Sequence, residues 1–336
     1  MPTLAREMVE RMARGADDSR SLRAELLAQL RRMVPFDWYA WVLTDPTTCV
    51  GVDPLADIPD PGAIASTIRL KYLTDLNRWT SLDTCAALGR GAERSLLWRE
   101  GQHPHGVVDV ASVVLRDRHG CWGFLDLWSS RPYAVADMAL LRDLAGPLTV
   151  AMRNVRARSF RASPPDSVSS SGPVVLLLDD DLSIRGRAKG SDEWLRLLLP
   201  GPKGVPPIPA CAFNVAAQML AREAGVDDHP AMARMPLPSG AWVTLRASRL
   251  EPDGSIAVTI EETGPTDRLD VFVRSHALSP REVELVEVLA TGADTAAASA
   301  RLHLSAHTVQ DHLKSVFAKT NVRSRRELLA RAMGQG

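Results

Sequence analysis

The segment 173–186, PVVLLLDDDLSIRG, sets three carboxylates, Asp179, Asp180 and Asp181, directly after a short apolar run that ends at Leu178. A strand that delivers clustered carboxylates at its tip offers the oxygen ligands a hard divalent cation wants, as a phosphoacceptor site does. Phosphotransfer asks for more. It needs a phosphoacceptor aspartate at a later strand end and a lysine beyond it. Asp227 and Asp228 follow no strand-like run, and no lysine stands between Lys203 and Lys314. The triplet reads as a hairpin turn.

A second set of chemistry-bearing residues lies in CWGFLDLW (121–128). Strand alternation puts Trp122, Phe124, Asp126 and Trp128 on one face. An aromatic wall with one carboxylate can cradle a small cationic or aromatic ligand. The same face equally suits the packing of flanking helices, with Asp126 hydrogen-bonded to backbone, and both readings stay open. His103, His105, His119 and Cys121 are metal-ligating types, yet they fall in a loop and a hairpin turn, where solvated histidines are the commoner case. No metal and no cofactor is assigned. No G-x-S-x-G, H-E-x-x-H or P-loop spacing occurs, so the chain is not read as an enzyme.

The third set is the densest. In LSPREVELVEVLATG (278–292), Ser279 is placed as an N-cap, Pro280 at the first helical position and Glu282 three residues past the cap. Asp294 caps a short second helix, HLS turns the chain, and Ser305 caps a third, AHTVQDHLKSVFAKT. Val309, Leu313, Val316 and Phe317 form its apolar stripe, while His307, Gln310, Asp311 and Lys314 lie opposite. Asn321 suits a left-handed stop, and SRRELLARAM gives a fourth helix. One face must fasten such a helix to its support; the other offers donors and positive charge to a major groove. Charge agrees. The chain is neutral overall, yet Arg301, Lys314, Lys319, Arg323, Arg325, Arg326 and Arg331 face only Asp311 and Glu327 from residue 301 onward.

The ordered set LSPRE…LATG…RLHLSAHTVQDHLKSVFAKTNVRSRREL resembles the LuxR/NarL-type four-helix DNA-binding domain over about 277–334. The resemblance implies that Gln310, Asp311 and Lys314 point into the groove. It also implies that Thr308, Lys319 and Arg323 touch phosphate or set register, with Ser305, His307 and Arg325 beside them. The chain departs from the family where AAAS (296–299) replaces a charged pair and an isoleucine, and where Asn321 replaces glycine. The partners implied are double-stranded DNA and a second copy of the chain, as a homodimer.

These elements need supports, and the rest of the chain divides accordingly. RASPPDSVSSSGP (161–173) and EETGPTDR (261–268) are polar breaks. They give a first block 1–160, a linker 161–172, a second block 173–263, a linker 264–276 and the last block 277–336. The first block has helical periodicity in SLRAELLAQLRRMV, strand-like runs, a hairpin around RDRHG and a closing helix interrupted at Gly146-Pro147. It resembles a GAF domain over about 20–160. The second block orders two strands, helices and a three-strand meander, and resembles a PAS domain over 172–263. The expected fold class is therefore multidomain: an α+β GAF-like domain, an α+β PAS-like domain and an all-α four-helix helix-turn-helix domain. The function expected is a sequence-specific DNA-binding transcriptional regulator, controlled by a small-molecule effector or partner at the sensor blocks. A phosphotransfer-controlled response regulator is the competing reading. Composition is ordinary for a globular chain, 45% hydrophobic and 24% charged. No apolar run reaches membrane-spanning length, the N-terminus lacks a signal-peptide core and the four cysteines form no C-x-x-C pair, so the expected location is cytoplasmic, with no membrane partner.

Overall fold

The computed structural model describes residues 2–16, 18–160, 172–198 and 209–334. The expected linker 161–172 lies almost wholly outside the described residues. In the first half, α1 (Pro2–Gly15) and α2 (Ser19–Leu30) precede the hairpin of β1 (Trp38–Thr44) and β2 (Gly51–Asp57). The carboxylate of Asp18 caps α2 by accepting from the backbone of Arg20 and Ser21. Then come α3 (Ile64–Leu73), β3 (Cys85–Ala87), β4 (Asp109–Asp117), β5 (Gly120–Ser129) and α4 (Val135–Arg158). The helix α4 runs unbroken through Pro147 where an interruption was expected. Proline removes one ladder bond. Packing of α4 on α1 and β4, with Leu144, Leu148 and Met152 buried, carries the helix through.

The second half contains β6 (Val174–Leu178), β7 (Ile184–Arg187), α5 (Ser191–Leu198), α6 (Ala210–Glu223), β8 (Met232–Pro236), β9 (Trp242–Arg249) and β10 (Ile256–Glu262). The carboxylate triplet is the β6–β7 turn: Leu182 N–H donates to Asp179 O at 2.8 Å, and Asp180 pairs with Arg249 at 2.6 Å. Both halves are antiparallel sheets, ordered β2-β1-β5-β4-β3 and β7-β6-β10-β9-β8. Counted within each half, the two orders are the same, although the sequence shows no repeat.

What joins the halves is α6. Every residue from Ala210 to Ala221 is buried, as expected of a helix that is apolar all round. It packs on α3 and β2 of the first half and on β9 and β10 of its own. Gly51 makes room for it: a Cβ there would stand 2.8 Å from Asn214 Oδ1. Beside α6, Arg78 Nε donates to Asp227 Oδ2 at 2.9 Å, Thr80 Oγ1 to the same oxygen at 2.6 Å, and Gln218 Nε2 to Oδ1 at 2.9 Å. A second buried pair, Arg234 Nε to Asp45 Oδ2 at 2.7 Å, ties β8 to the β1–β2 turn. One hydrophobic core consequently runs through both sheets.

The chain ends in α7 (Pro265–Ser275), α8 (Pro280–Ala290), α9 (Thr295–Leu302), α10 (Ala306–Thr320) and α11 (Arg325–Met333). The segment 264–276, expected as a linker, is the helix α7. Its Gly-Pro pair is a helix start, with Pro265 in the first turn where no N–H is needed. Leu269, Val271, Phe272 and Val273 are buried in a core shared with Phe160, Trp242, Val286, Val316, Leu328 and Ala332. The last helices therefore rest on the two sheet-bearing halves and do not hang from them by a free tether. Among the described residues no helix is long and apolar enough to cross a membrane.

Candidate nucleic-acid interface and sensor cavity

The caps expected from sequence form. Ser279 Oγ accepts from Glu282 N–H while the Glu282 carboxylate accepts from Ser279 N–H at 2.6 Å. Asp294, Ser305 and Ser324 cap α9, α10 and α11. Asn321 stops α10 in the left-handed region at φ 51°. Val309, Leu313 and Val316 are buried with Phe317 packed partly beside them, so the apolar stripe fastens α10 to α8 and α9.

The opposite face of α10 stands in solvent. His307 and Lys314 are 86% and 74% exposed, and Gln310 and Asp311 are exposed beside them. Asp311 is bracketed by Lys314 Nζ at 3.2 Å and His307 Nε2 at 3.4 Å. Exposed pairs of this kind hold by about 0–1 kcal/mol, so all three side chains can turn to a ligand. Thr308 sits at the helix start, its hydroxyl 2.9 Å from that of Ser305, whose side chain accepts from the Thr308 N–H. Arg323 is exposed at the far end.

Two residues of the same set are committed inside the domain. Lys319 Nζ donates to both Glu282 oxygens, at 2.9 and 2.6 Å, and Ser315 Oγ donates to Oε1 at 2.6 Å. Burial would raise the Glu282 carboxyl, but these donors and the Ser279 amide outweigh it and hold the group down at about 2. Glu282 thus reads as a cap in sequence and becomes the strut between α8 and α10. Arg325 donates to the carbonyl of Ala293, which locks α11 under the end of α8. The structure brings His307, Thr308, Gln310, Asp311 and Lys314 together on one surface and turns Lys319 and Arg325 to internal partners.

In the first sheet, a bulge separates the four residues expected on one face. The register of β4 with β5 shifts between Leu115 and Arg116, so that Leu115 pairs with Gly123 and Arg116 with Cys121. Trp122 is the extra residue and swings away from Phe124. Its Nε1 donates to Asp117 Oδ1 at 3.0 Å, on the side where Asp117 pairs with Arg153 of α4. Phe124, Asp126 and Trp128 remain together and line a cavity closed by Ile68, Lys71 and Asn214. The cation that such a wall invites is the chain's own. Lys71 Nζ lies 2.7 Å from Asp126 Oδ2 and 5.3 Å from the Phe124 ring centre, and Phe124 stacks on Trp79 at 4.6 Å. About 50 Å³ is left, room for a water or two and far below the ~300 Å³ of an ordinary ligand pocket. Two polar atoms there have no partner, Asp126 Oδ1 and Trp128 Nε1. Nothing local marks Lys71 in the sequence, because it is one cation in an otherwise unremarked helical run. His103 stacks near Trp98 with ring centres 4.4 Å apart, away from His119 in the β4–β5 turn. Among the described residues no three His, Cys, Asp or Glu side chains stand together to hold a metal.

Residues 276–332 match the family model "Bacterial regulatory proteins, luxR family". This segment is a LuxR-family helix-turn-helix domain. Over nearly the full length, a crystal structure of Escherichia coli SdiA is similar at 13% identity and a TM-score of 0.35, with 99% of this chain and 97% of that chain covered. SdiA in complex with octanoyl-rac-glycerol gives 14% identity and a TM-score of 0.30, with 99% and 95% covered. No curated protein matches the chain.

Proposed function

We propose that the protein is a sequence-specific DNA-binding transcriptional regulator in which the two sheet-bearing halves, GAF-like and PAS-like, set the activity of the LuxR-family reader in response to a small molecule. The observation that carries the reading is α10: its apolar stripe is buried against α8 and α9, and His307, Gln310, Asp311 and Lys314 are presented together on the open side. Lys314 supplies the charge, Gln310 the bidentate amide suited to adenine, and Asp311 an acceptor suited to a cytosine amino group. Thr308, Ser305 and the first-turn amides of α10 approach phosphate, and Arg323 extends the basic edge. A helix of 15 residues fills one segment of groove, so two copies on half-sites about one helical turn apart are required for specific affinity.

The experiment is a titration of the full-length chain with duplex DNA at several salt concentrations. Log affinity should fall steeply and linearly with log salt, because neutralised phosphates release counterions. Lys314→Ala should lower that slope by about one if the ammonium meets phosphate, or relax the preference at one base pair if it meets a base. Affinity that does not change between low and moderate salt would sink the reading.

A further inference from the structure

A roomier space than the one beside Lys71 lies elsewhere. Between α2, the end of α4 and the β8–β9 turn lies a cavity of about 410 Å³, within the ordinary range for small-molecule sites. Most of its wall is apolar: Leu43, Val155, Leu198, Met235 and Leu237 all contribute. Its chemistry comes from Arg156, which is only 7% exposed. Among the described residues no ion pair or hydrogen bond holds this guanidinium, which lies over the face of Trp242, 5.7 Å from the ring centre. Burial lowers its pKa to about 10, so it stays charged at neutral pH.

A buried, unpaired charge is costly, and proteins normally pair such groups or replace them. The Asp53 charge favours the protonated guanidinium from a distance, but neither of the two carboxylates lining the cavity pairs with it directly. Asp53 is held by Arg23 at 2.5 Å and by Arg20 at 3.9 Å, and Asp18 is spent on capping α2. Among the described residues Arg156 has no directly paired anion, and it borders the cavity. Arg20 and Arg158 line the cavity beside Asp18 and Asp53, so its lining is cationic on balance and suits an anion, and the apolar wall asks for a hydrocarbon body that a bare inorganic ion lacks.

We propose that this cavity binds a small monocarboxylate with an aromatic or aliphatic body, its carboxylate paired with Arg156. The site is placed to report its occupancy. Gly240 of the β8–β9 turn lines it, and the Gly240 carbonyl accepts from Arg268 of α7 at 3.1 Å. Arg268 also donates to the carbonyl of Arg331 in α11 at 3.2 Å. Trp242, under Arg156, stacks on Phe160 at 4.5 Å within the core shared with the reader. Calling the ligand an effector rests on the regulator reading above; the binding site itself does not.

The test uses the full-length chain without DNA, so that its failure is distinct from a failure to bind DNA. The probes are 4-phenylbutyrate, its neutral amide 4-phenylbutyramide, and inorganic phosphate, followed by calorimetric titration and by the thermal unfolding midpoint. Phenylbutyrate should bind saturably and raise the midpoint, with the amide and phosphate at least tenfold weaker. Arg156→Lys should keep binding within about tenfold, whereas Arg156→Met should lose it. Because Arg156→Met removes an unpaired buried charge, its midpoint without ligand should be equal to or above that of the parent. The proposal is overturned if phenylbutyrate does not bind, if the amide or phosphate binds as well, or if Arg156→Met still binds. It is equally overturned if Arg156→Met unfolds well below the parent, which would make Arg156 a strut.

Discussion

The two sheets share one strand order and differ in how many faces they hide. In the first, β4 is buried from Asp109 to Leu115 and β5 from Cys121 to Ser129, so both faces are covered. In the second, β6 alternates buried and half-buried, and β7 alternates half-buried and exposed. The cause is α6. The first half packs α4 directly on β3, β4 and β5, with α1 against α4, while α6 packs on β2 of that sheet and on β9 and β10 of its own. Continuous burial rather than alternation is what a doubly covered strand shows. The lesson is that α6 is shared, covering β2 of the first sheet as well as β9 and β10 of its own.

The strongest way to break this comparison is to pull the halves apart. Asp227→Ala leaves Arg78 charged, buried and without its ion-pair partner, and should destabilise the sensor body by roughly 3–5 kcal/mol in denaturant unfolding. Both sheets should then unfold together; a first sheet that keeps its stability would show that α6 is not its cover. Trp128→Ala, on the covered side of β5, should cost a similar roughly 3–5 kcal/mol, since truncating a buried Trp leaves a cavity. On β6 of the second sheet, Leu177→Ala should cost less than about 1 kcal/mol because the residue is only half-buried. Equal losses at the two positions would erase the distinction between the sheets.

Acid should separate the reader from this body in stages. Burial against Phe272 and Phe160 lowers the His276 pKa to about 4, from an ordinary value of 6.5. A depressed histidine stays neutral in the fold and takes up its proton more readily when released, so its neutral form stabilises docking above 6.5. That contribution is lost as pH falls from 6.5 to 4. Glu282, held at about 2 against an ordinary 4.5, contributes fully above 4.5 and loses its share as pH falls toward 2. Near-ultraviolet circular dichroism, which follows the Phe160–Trp242 stack, should therefore change before the helical signal of the reader does. His276→Gln should remove the first step and Glu282→Gln should weaken the second. A single transition in the parent would contradict the staging.

The reader was the part most legible in the sequence. Caps at Ser279, Asp294 and Ser305, the stripe of Val309, Leu313 and Val316, and the stop at Asn321 all act within a few residues of one another. Hairpin turns were legible for the same reason, including the triplet at Asp179–Asp181. Two things needed the tertiary structure. A one-residue bulge moved Trp122 off the wall of Phe124, Asp126 and Trp128, because register is set by the partner strand. The helix α7 was hidden behind a Gly-Pro pair, since burial by Trp242 and Phe160, distant in sequence, is what holds it.

Charge partners were the least legible of all. Sequence alone determined which residue types were available and, through local periodicity and capping, which helices and turns would form around them. It could not show that Lys71 would answer Asp126, that Arg78 would meet Asp227 across 149 residues, that Glu282 would capture Lys319, or that Arg156 would be buried facing an open cavity. Coulomb attraction and burial depend on distance in space and on the low-dielectric surroundings that packing creates. Both come into being only when α6 and α7 draw the two sheets and the reader together.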